Sequence, residues 1–168
     1  MIVQALQTVQ KQLCDEKMYF NGKYTDMSED GLTLLQNDVI SSDTYFNSFS
    51  LDIWRKYTIL NNLQLNFIME GSALVRLFCA YLENGEKILK KVSEQKIEST
   101  QLQSFNIAFK DLDTLKGSCY YEITCLSRKA RVITCDYVTE LEESKLPEIN
   151  LAAAICTFKR EECVLKNL

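Results

Sequence analysis

The sequence predicts an all-β fold, an antiparallel jelly-roll-like β-sandwich or barrel. Apolar and polar residues alternate with a period of two in several segments from residue 63 onward, which is typical of half-buried strands. Turn-forming residues separate about eight such segments at fairly regular spacing, as in sandwiches and barrels. The chain has 168 residues, 46% of them hydrophobic and 25% charged, which suits one globular domain with its own core.

The clearest strands form a predicted hairpin in the middle of the chain. Residues 63–70 (LQLNFIME) alternate apolar and polar side chains, and Glu-Gly-Ser at 70–72 predicts a turn. A second strand is predicted over 73–82 (ALVRLFCAYL), and the Asn-Gly pair at 84–85 is a strong hairpin signal. The charged residues 86–98 predict an exposed or edge strand, with a helix as the alternative.

Further short strands are predicted on both sides of this hairpin. Most of them again place apolar residues on one face, which predicts that this face contributes to the core. These strands are 17–20 (KMYF), 31–36 (GLTLLQ), 104–109 (SFNIAF), 119–126 (CYYEITCL) and 130–138 (ARVITCDYV).

The two ends of the chain differ from its middle in their pattern of apolar and polar residues. Residues 1–16 have apolar side chains at helical spacing, which predicts a short amphipathic helix or a frayed leader before the β-barrel domain at 17–138. Residues 139–150 are acidic and polar, contain the only proline, Pro147, and are typical of a linker. Residues 151–168 begin with LAAAICTF, apolar on both faces like a central strand of a parallel sheet, followed by a basic pair and a helix-like turn. They suggest the truncated start of an α/β domain.

Composition excludes several classes of function. The chain has no histidine, so no Ser-His or Cys-His dyad can form. A net charge of −4 without a basic stripe argues against nucleic acid as a partner. No apolar run reaches the roughly 18 to 20 residues of a membrane span. Seven cysteines without a CxxC pair predict neither a disulfide framework nor a zinc site, but small buried side chains in a reducing cytoplasm.

Three stretches together resemble a known family. They are DTYFNSFSLDIWRKYT (43–58), CYYEITCLSRKARVITCDYVTE (119–140) and the terminal LAAAICTFKREECV (151–164). They look like the amino-terminal part of the polymerising galactofuranosyltransferases that build galactan, over roughly residues 17 to 165. The run Tyr-Phe-Asn-x-Phe followed by Ile-Trp-Arg is the most specific element. The resemblance implies a jelly-roll-like barrel followed by the first strand of a GT-A glycosyltransferase domain.

The resemblance also implies an activity for the complete protein. It would transfer galactofuranose, or a related sugar, from a UDP donor to a growing cell-surface polysaccharide, with inversion and with Mg or Mn held by an Asp-rich motif. The metal ligands, the catalytic base and the acceptor groove would all follow Leu168, so this chain is expected to be a non-catalytic fragment. Its barrel would support the remainder of the GT-A domain, assist homo-oligomer assembly or guide the saccharide acceptor.

The family also implies a nucleotide-sugar site at the end of the chain. By position, Thr157, Phe158 and Arg160 would line the uridine diphosphate pocket of the complete protein. The carboxyl end of a strand faces the ligand crevice in open α/β sheets, and an arginine there can pair with phosphate. The sequence departs from the family at Lys159, where members often have Asn, and at Glu161, where they often have Pro. Glu161 puts negative charge near the implied diphosphate.

The aromatic segment 43–58 has two interpretations. In the first, its rings stack on sugar faces and its polar groups bond sugar hydroxyls. In the second, its rings fill the barrel and fix the loop, which a small barrel favours because it needs bulky side chains. The candidate saccharide-contacting residues under the first interpretation are Asp43, Tyr45, Asn47, Trp54 and Arg55.

A second class of function stays open, a free-standing carbohydrate-binding β-sandwich module with no enzyme attached. The aromatic content of 10% permits it, although such a module has no need for the apolar run in residues 151–168. In either case the expected location is the cytoplasm. Peripheral association of the complete protein with the inner face of the membrane is left open.

Overall fold

The computed structural model describes residues 1–6, 16–28 and 31–140. Within these residues there are ten strands, one α-helix and two short 3₁₀ turns, at Glu16–Met18 and Leu112–Thr114. The helix α1 spans Leu51–Tyr57. The strands are β1 (Ile2–Gln4), β2 (Asn21–Gly22), β3 (Asp26–Ser28), β4 (Gly31–Leu35), β5 (Val39–Ser41), β6 (Phe49–Ser50), β7 (Gln64–Glu83), β8 (Glu86–Ala108), β9 (Ser118–Cys125) and β10 (Lys129–Val138).

All ten strands belong to one antiparallel sheet that curls into a half-barrel. The strand order is β2-β5-β9-β7-β10-β4-β3, while β1 pairs with β10, β6 with β9 and β8 with β7. The prediction of an all-β, antiparallel jelly-roll-like fold is therefore confirmed for the described residues.

Strand β7 organises the sheet because it pairs with three other strands. One edge of β7 pairs with β8 along nearly its whole length. On the other edge, residues 64–70 pair with β10 and residues 73–80 pair with β9. The change of partner falls at Gly71, whose φ is +102°. A Cβ at Gly71 would lie 2.7 Å from the carbonyl oxygen of Lys129, so a larger residue would clash there.

The turn predicted at residues 70–72 is wrong. The chain stays extended through this point, and the β7–β8 pairing shifts register between Met69 and Gly71. A glycine flanked by polar residues is typical of both turns and β-bulges, and here it forms an irregularity inside one long strand.

The predicted hairpin at Asn84 and Gly85 is confirmed. Both residues have positive φ, 52° and 84°, as a type I′ turn requires. The charged residues 86–98 and residues 104–108 of the strand predicted at 104–109 lie in the single strand β8, and Phe109 follows its end. Among the described strands, β8 pairs only with β7, which confirms the prediction of an edge strand.

The core lies on the concave side of the sheet and follows the predicted alternation. Every second residue of β7 from Leu65 to Met69 is fully buried, and the same holds for β9 from Cys119 to Cys125. The largest fully buried side chains include Phe20, Phe49, Phe67, Tyr121 and Tyr137. Removing these apolar surfaces from water is the main force that holds the curled sheet closed.

The amino terminus differs from its prediction. Ile2–Gln4 form strand β1 against β10, where a helix or a frayed leader was predicted over 1–16, and residues 7–15 of that segment lie outside the described residues. The exposed backbone edge of β10 explains the difference, because it offers hydrogen bonds that override local helical spacing. Residues 17–20 form no strand either, since the chain makes a 3₁₀ turn there before β2.

Four cysteines lie in the described residues, and all are buried free thiols, as predicted: Cys79, Cys119, Cys125 and Cys135. The Sγ atoms of Cys79 and Cys119 lie 2.8 Å apart on the adjacent strands β7 and β9. The rest of the predicted linker after Glu140 and the predicted start of a GT-A domain at 151–168 lie outside the described residues.

Candidate functional site

The segment that carries the family resemblance connects the sheet to helix α1. Strand β6 pairs with β9 through Phe49 and Cys119, which anchors the segment at one end of the sheet. Helix α1 has Asp52 in its first turn and basic residues in its last turn, charges that complement the helix dipole. The helix ends at Tyr57 and is capped by Thr58, which is extended and donates its N–H to the carbonyl of Trp54.

Trp54 lies at the outer end of a column of rings that runs into the core. Its ring stacks on Phe49, with centroids 5.6 Å apart and planes 15° apart. Phe49 is fully buried and stacks in turn on Tyr137 at 5.1 Å. The indole face is therefore used to pack α1 onto the sheet, as the second interpretation of the segment predicts.

Arg55 ties α1 to the turn before β9. Its guanidinium donates hydrogen bonds to the carbonyl oxygens of Leu112 and Leu115, the latter at 2.6 Å. Both acceptors lie about 60 residues further along the chain. The Arg55 guanidinium therefore connects two segments that are far apart in the sequence.

Asn47 is also held inside the fold. Its side chain is 2% exposed, and its amide donates to the carbonyl oxygen of Tyr19 at 2.8 Å. Its own carbonyl accepts from the hydroxyl of Tyr137 at 3.3 Å. This position leaves no room for a sugar to reach the Asn47 side chain.

Of the five candidates only Tyr45 is largely exposed, whereas Asp43, Trp54 and Arg55 are half-buried. Tyr45 is 79% exposed and rests edge-on against Phe46 at 5.0 Å. Asp43 makes an ion pair of 2.7 Å with Lys87, which follows the β7–β8 turn. Burial raises the pKa of nearby Tyr120 to about 12, and Asp43 adds to that shift, so this phenol keeps its proton at neutral pH.

The five candidate residues thus do not form one saccharide platform. Asn47, Trp54 and Arg55 make contacts within the fold. Half-buried Asp43 pairs with Lys87, and only Tyr45 is largely exposed. The nucleotide-sugar candidates Thr157, Phe158 and Arg160 lie outside the described residues, and their role stays a prediction.

The structure also contains a polar groove that the sequence did not indicate. It forms where the β7–β8 ladder is irregular and the β9–β10 turn approaches, and its volume is about 630 Å³. Seven of its eight lining residues carry a hydroxyl, amide or carboxylate group. The polar groove consists of Gly71, Ser72, Glu98, Ser99, Thr100, Gln101, Gln103 and Ser127.

Hydrogen bonds order the walls of the polar groove. The N–H of Ser72 donates to the Ser127 hydroxyl at 2.9 Å, and the Ser99 hydroxyl donates to the carbonyl of Gln101 at 2.6 Å. A hydrogen bond from Lys96 holds the pKa of Glu98 below its ordinary value, so Glu98 offers a carboxylate at neutral pH. Such a set of donors and acceptors is suited to a hydroxyl-rich ligand.

The sequence contains the polar residues of this groove, but it does not show that they lie on a concave surface. Residues 98–104 (ESTQLQS) are rich in hydroxyl and amide side chains. In a predicted strand such a composition is typical of a solvated face. Only the irregular pairing with β7 turns it into a concave surface.

Metal-binding clusters and membrane-spanning helices are both absent from the described residues. They hold no cluster of three or more carboxylate, cysteine or histidine groups that could bind a metal ion. No helix among them is long and apolar enough to cross a bilayer.

The fold and this site define a class, an antiparallel β-domain with a curled sheet, a short helical anchor and a polar groove. Within that class, the sequence profile described as galactofuranosyltransferase 2 N-terminal matches residues 5–139. The chain therefore belongs to the family of galactofuranosyltransferase 2 N-terminal domains, which confirms the resemblance. Comparison with curated proteins found no match.

Three of the solved structures that this chain matches have TM-scores below 0.5. The CBM22-1–GH10 modules of Clostridium thermocellum endo-1,4-β-D-xylanase 10B with xylohexaose give a TM-score of 0.41 at 9% identity, covering 73% of this chain and 24% of that one. The C-terminal family 22 carbohydrate binding module of the same enzyme gives 0.41 at 7%, covering 72% and 80%. Xylanase 10C of Cellvibrio japonicus with xylopentaose gives 0.38 at 11%, covering 73% and 27%. At these TM-scores the likeness carries no inference about ligands.

Proposed function

We propose that this chain is a non-catalytic accessory domain of a UDP-galactofuranose-type inverting glycosyltransferase that makes cell-surface polysaccharide. The family match over residues 5–139 is the observation that carries the proposal, because it includes nearly all of the described sheet. The task of the domain is to support the catalytic part of the protein. The donor UDP-sugar and a Mg or Mn ion would bind in that catalytic part.

The packing of segment 43–58 supports a structural task. The part of the chain with the most family-specific residues uses Trp54 and Arg55 to fix α1 against the sheet. A rigidly mounted helix at one end of a β-domain is suited to carrying a neighbouring domain or subunit in a fixed orientation. Assembly into a homo-oligomer belongs to the same proposal.

A transfer assay tests the proposal. The gene product that contains this chain should transfer galactofuranose from UDP-galactofuranose to a galactofuranosyl acceptor when Mg²⁺ or Mn²⁺ is present. The 168-residue chain alone should give no product under the same conditions. A gene product that stops at Leu168, transfer by the short chain, or no transfer by the long one would overturn it.

The polar groove favours a second candidate function, binding of the saccharide acceptor. Its hydroxyl and amide groups can exchange hydrogen bonds with sugar hydroxyls, and the Glu98 carboxylate can accept two more. Sites of this kind bind weakly, with dissociation constants of about a millimolar, which corresponds to roughly −4 kcal/mol.

Calorimetric titration of the chain with galactofuranosyl oligosaccharides tests this second function. We expect saturable heat, and a dissociation constant raised about fivefold or more by Gln103→Ala in the groove, a loss of about 1 kcal/mol. Gln95→Ala, an exposed glutamine on the same strand outside the groove, is the matched control and should leave the constant unchanged. No heat at about ten millimolar ligand excludes groove binding.

A further inference from the structure

Two buried cysteines face each other across the β7–β9 ladder. Cys79 of β7 and Cys119 of β9 are register partners in this antiparallel pair, and both side chains are fully buried. Their Sγ atoms lie 2.8 Å apart. Directly opposed residues on antiparallel strands have Cα atoms about 4.5–5.5 Å apart, which is within the roughly 4.4–6.8 Å that a disulfide spans. A bond can therefore join the two sulfur atoms without a movement of the backbone.

The other two described cysteines have no such partner. Cys125 of β9 lies opposite Ala73, and Cys135 of β10 lies opposite Phe67. Both are buried free thiols like the opposed pair. Among the described residues, only Cys79 and Cys119 are thus arranged for a disulfide, and the other two thiols serve as internal controls of similar burial.

The surroundings of the pair distinguish its two thiols. A hydrogen bond from the Cys119 thiol lowers the pKa of Cys79. The nearby cations Arg55 and Lys90 lower it further, whereas burial and Asp52 oppose the shift. The same hydrogen bond raises the pKa of Cys119. Because the thiolate is the reactive form of cysteine, Cys79 is the thiol that reacts first with an oxidant.

The pair lies close to one end of the β7–β9 ladder. Only one register pair, Ala80 with Ser118, lies beyond it. On the other side of β7, Cys79 lies opposite Lys90 of the edge strand β8, whose side chain is exposed. The ends of strands open more readily than the centre of a sheet. A small oxidant such as a hydroperoxide therefore reaches the two thiols through local opening, without global unfolding.

We propose that Cys79 and Cys119 form a redox-active pair, which a hydroperoxide oxidises to a disulfide between β7 and β9. The Cys79 thiolate attacks one oxygen of the peroxide and becomes a sulfenic acid. The O–O bond breaks, and the other oxygen leaves as an alcohol or water with the proton that Cys79 released. The Cys119 sulfur then attacks the Cys79 sulfur, and the hydroxyl group leaves with the Cys119 proton as water. The two sulfur atoms lose two electrons, and the peroxide gains them.

The disulfide fixes the end of the sheet that carries α1. Cys119 pairs with Phe49 of β6, the strand that leads directly into α1. The bond joins residues 40 positions apart, so it restricts the unfolded chain and stabilises the folded one. We therefore expect oxidation to raise the melting temperature by at least about 5 °C. The inference does not depend on the proposed function, because its test measures neither sugar transfer nor saccharide binding.

Peptide mapping of the whole chain tests the pair. The reduced chain is treated with a small molar excess of hydrogen peroxide, unfolded in the presence of N-ethylmaleimide and digested with trypsin. We expect mass spectrometry to find Cys79 linked to Cys119, with maleimide on Cys125 and Cys135. Cys119 and Cys125 fall in one tryptic peptide, so fragmentation assigns the linked residue. Dithiothreitol should remove the link and the gain in melting temperature.

Serine variants separate the roles of the two thiols. Cys119→Ser should stop at a sulfenic acid on Cys79, and Cys79→Ser should leave Cys119 as a free thiol. Neither variant should melt higher after oxidation. Cys135→Ser, which removes a buried thiol outside the pair, is the matched control and should form the disulfide as the parent does. Circular dichroism checks folding, and the corresponding alanine variants, which bury no hydroxyl, replace any serine variant that does not fold.

Three results would overturn the proposal. Maleimide on both Cys79 and Cys119 after peroxide treatment shows that the disulfide does not form. Equal linkage of either residue to any other cysteine shows that oxidation does not select the opposed pair. A sulfenic acid on Cys119 in the Cys79→Ser variant shows that Cys79 is not the thiol that reacts first.

Discussion

At the scale of single residues, Arg55 shows how a charged side chain can serve the fold. Its planar guanidinium holds two carbonyl oxygens in the turn before β9, those of Leu112 and Leu115. A lysine cannot reproduce this fork, because its ammonium group acts as a point charge. The residue therefore fixes where α1 sits.

We predict that Arg55→Ala lowers the free energy of unfolding by about 1.5–3 kcal/mol, the contribution typical of hydrogen bonds from charged groups. Arg55→Lys should recover only part of this loss. Urea denaturation measures both. Lys110→Ala, an exposed lysine near the same turn, is the control and should change stability by less than about 0.5 kcal/mol. A variant Arg55→Ala as stable as the parent would show that the two hydrogen bonds are dispensable.

The stability of the fold is expected to depend on pH through Asp38. Its carboxylate accepts a hydrogen bond from the backbone N–H of Leu35 at 2.9 Å, and Lys23 lies 3.1 Å away. The Leu35 hydrogen bond, helped by Lys23, holds the pKa of Asp38 below its ordinary value. Since the folded pKa is lower than the unfolded one, Asp38 contributes stability above the unfolded pKa of about 4 and loses it as the pH falls through the folded pKa.

The expected signature is a difference in melting temperature that depends on pH. The parent should melt higher than Asp38→Asn at pH 7, and the gap should narrow steadily below about pH 4. Differential scanning calorimetry from neutral to acid pH measures it. Asp113→Asn, at an exposed position, is the control, and its melting temperature should equal that of the parent at every pH. If the difference in melting temperature between the parent and Asp38→Asn stays constant down to acid pH, Asp38 does not have the lowered pKa described above.

At the scale of elements, Gly71 allows β7 to serve two partners. It has φ of +102° and sits where the pairing of β7 passes from β10 to β9. Any side chain there meets the backbone of Lys129 and Ala130 within 3 Å. The close approach of two backbones is what requires the glycine.

Gly71→Ala should therefore lower the free energy of unfolding by more than about 2 kcal/mol. Gly85→Ala is the matched control, because Gly85 also has positive φ but has no atom within 4 Å of an added Cβ. It should cost only about 1 kcal/mol of backbone strain. Equal losses in the two variants, measured by chemical denaturation, would show that the close contact at Gly71 can relax.

Elements also show what the sequence can and cannot predict. The Asn84-Gly85 turn was predictable because both residues favour the positive φ that a hairpin turn needs. The glycine in Glu70-Gly71-Ser72 also predicts a turn, but the conformation there depends on a strand 58 residues away, at Lys129. Likewise, the aromatic content of segment 43–58 was visible, whereas the carbonyl partners of Arg55 are long-range and leave no mark near it.

At the scale of the whole molecule, the sheet is complete only when β10 is in place. This strand lies between β7 and β4 and also pairs with β1. Its residues Val132, Cys135 and Tyr137 are buried in the core. A fold closed by its last described strand has many contacts between distant parts of the chain and folds slowly for its size.

We predict that a chain ending at Glu140 folds cooperatively and that one ending at Leu126 does not. The shorter chain lacks β10 and leaves edges of β7 and β4 unpaired. Thermal unfolding followed by circular dichroism, together with the dispersion of amide NMR signals, distinguishes the two. Cooperative melting of the shorter chain would mean that β10 is an accessory strand.

The partner change along β7 has a mechanical consequence. The half of the sheet built on β9 and the half built on β10 are joined by the backbone of one continuous strand, reinforced along its length by β8. A load applied to one half passes to β7 through a ladder of hydrogen bonds and then along the covalent backbone of β7 to the other half. Each half is attached to β7 by its own ladder of hydrogen bonds, so separating one half requires breaking that ladder while β7 and β8 stay paired. We therefore expect the β7–β8 hairpin to carry the tension when the two halves of the domain are pulled apart.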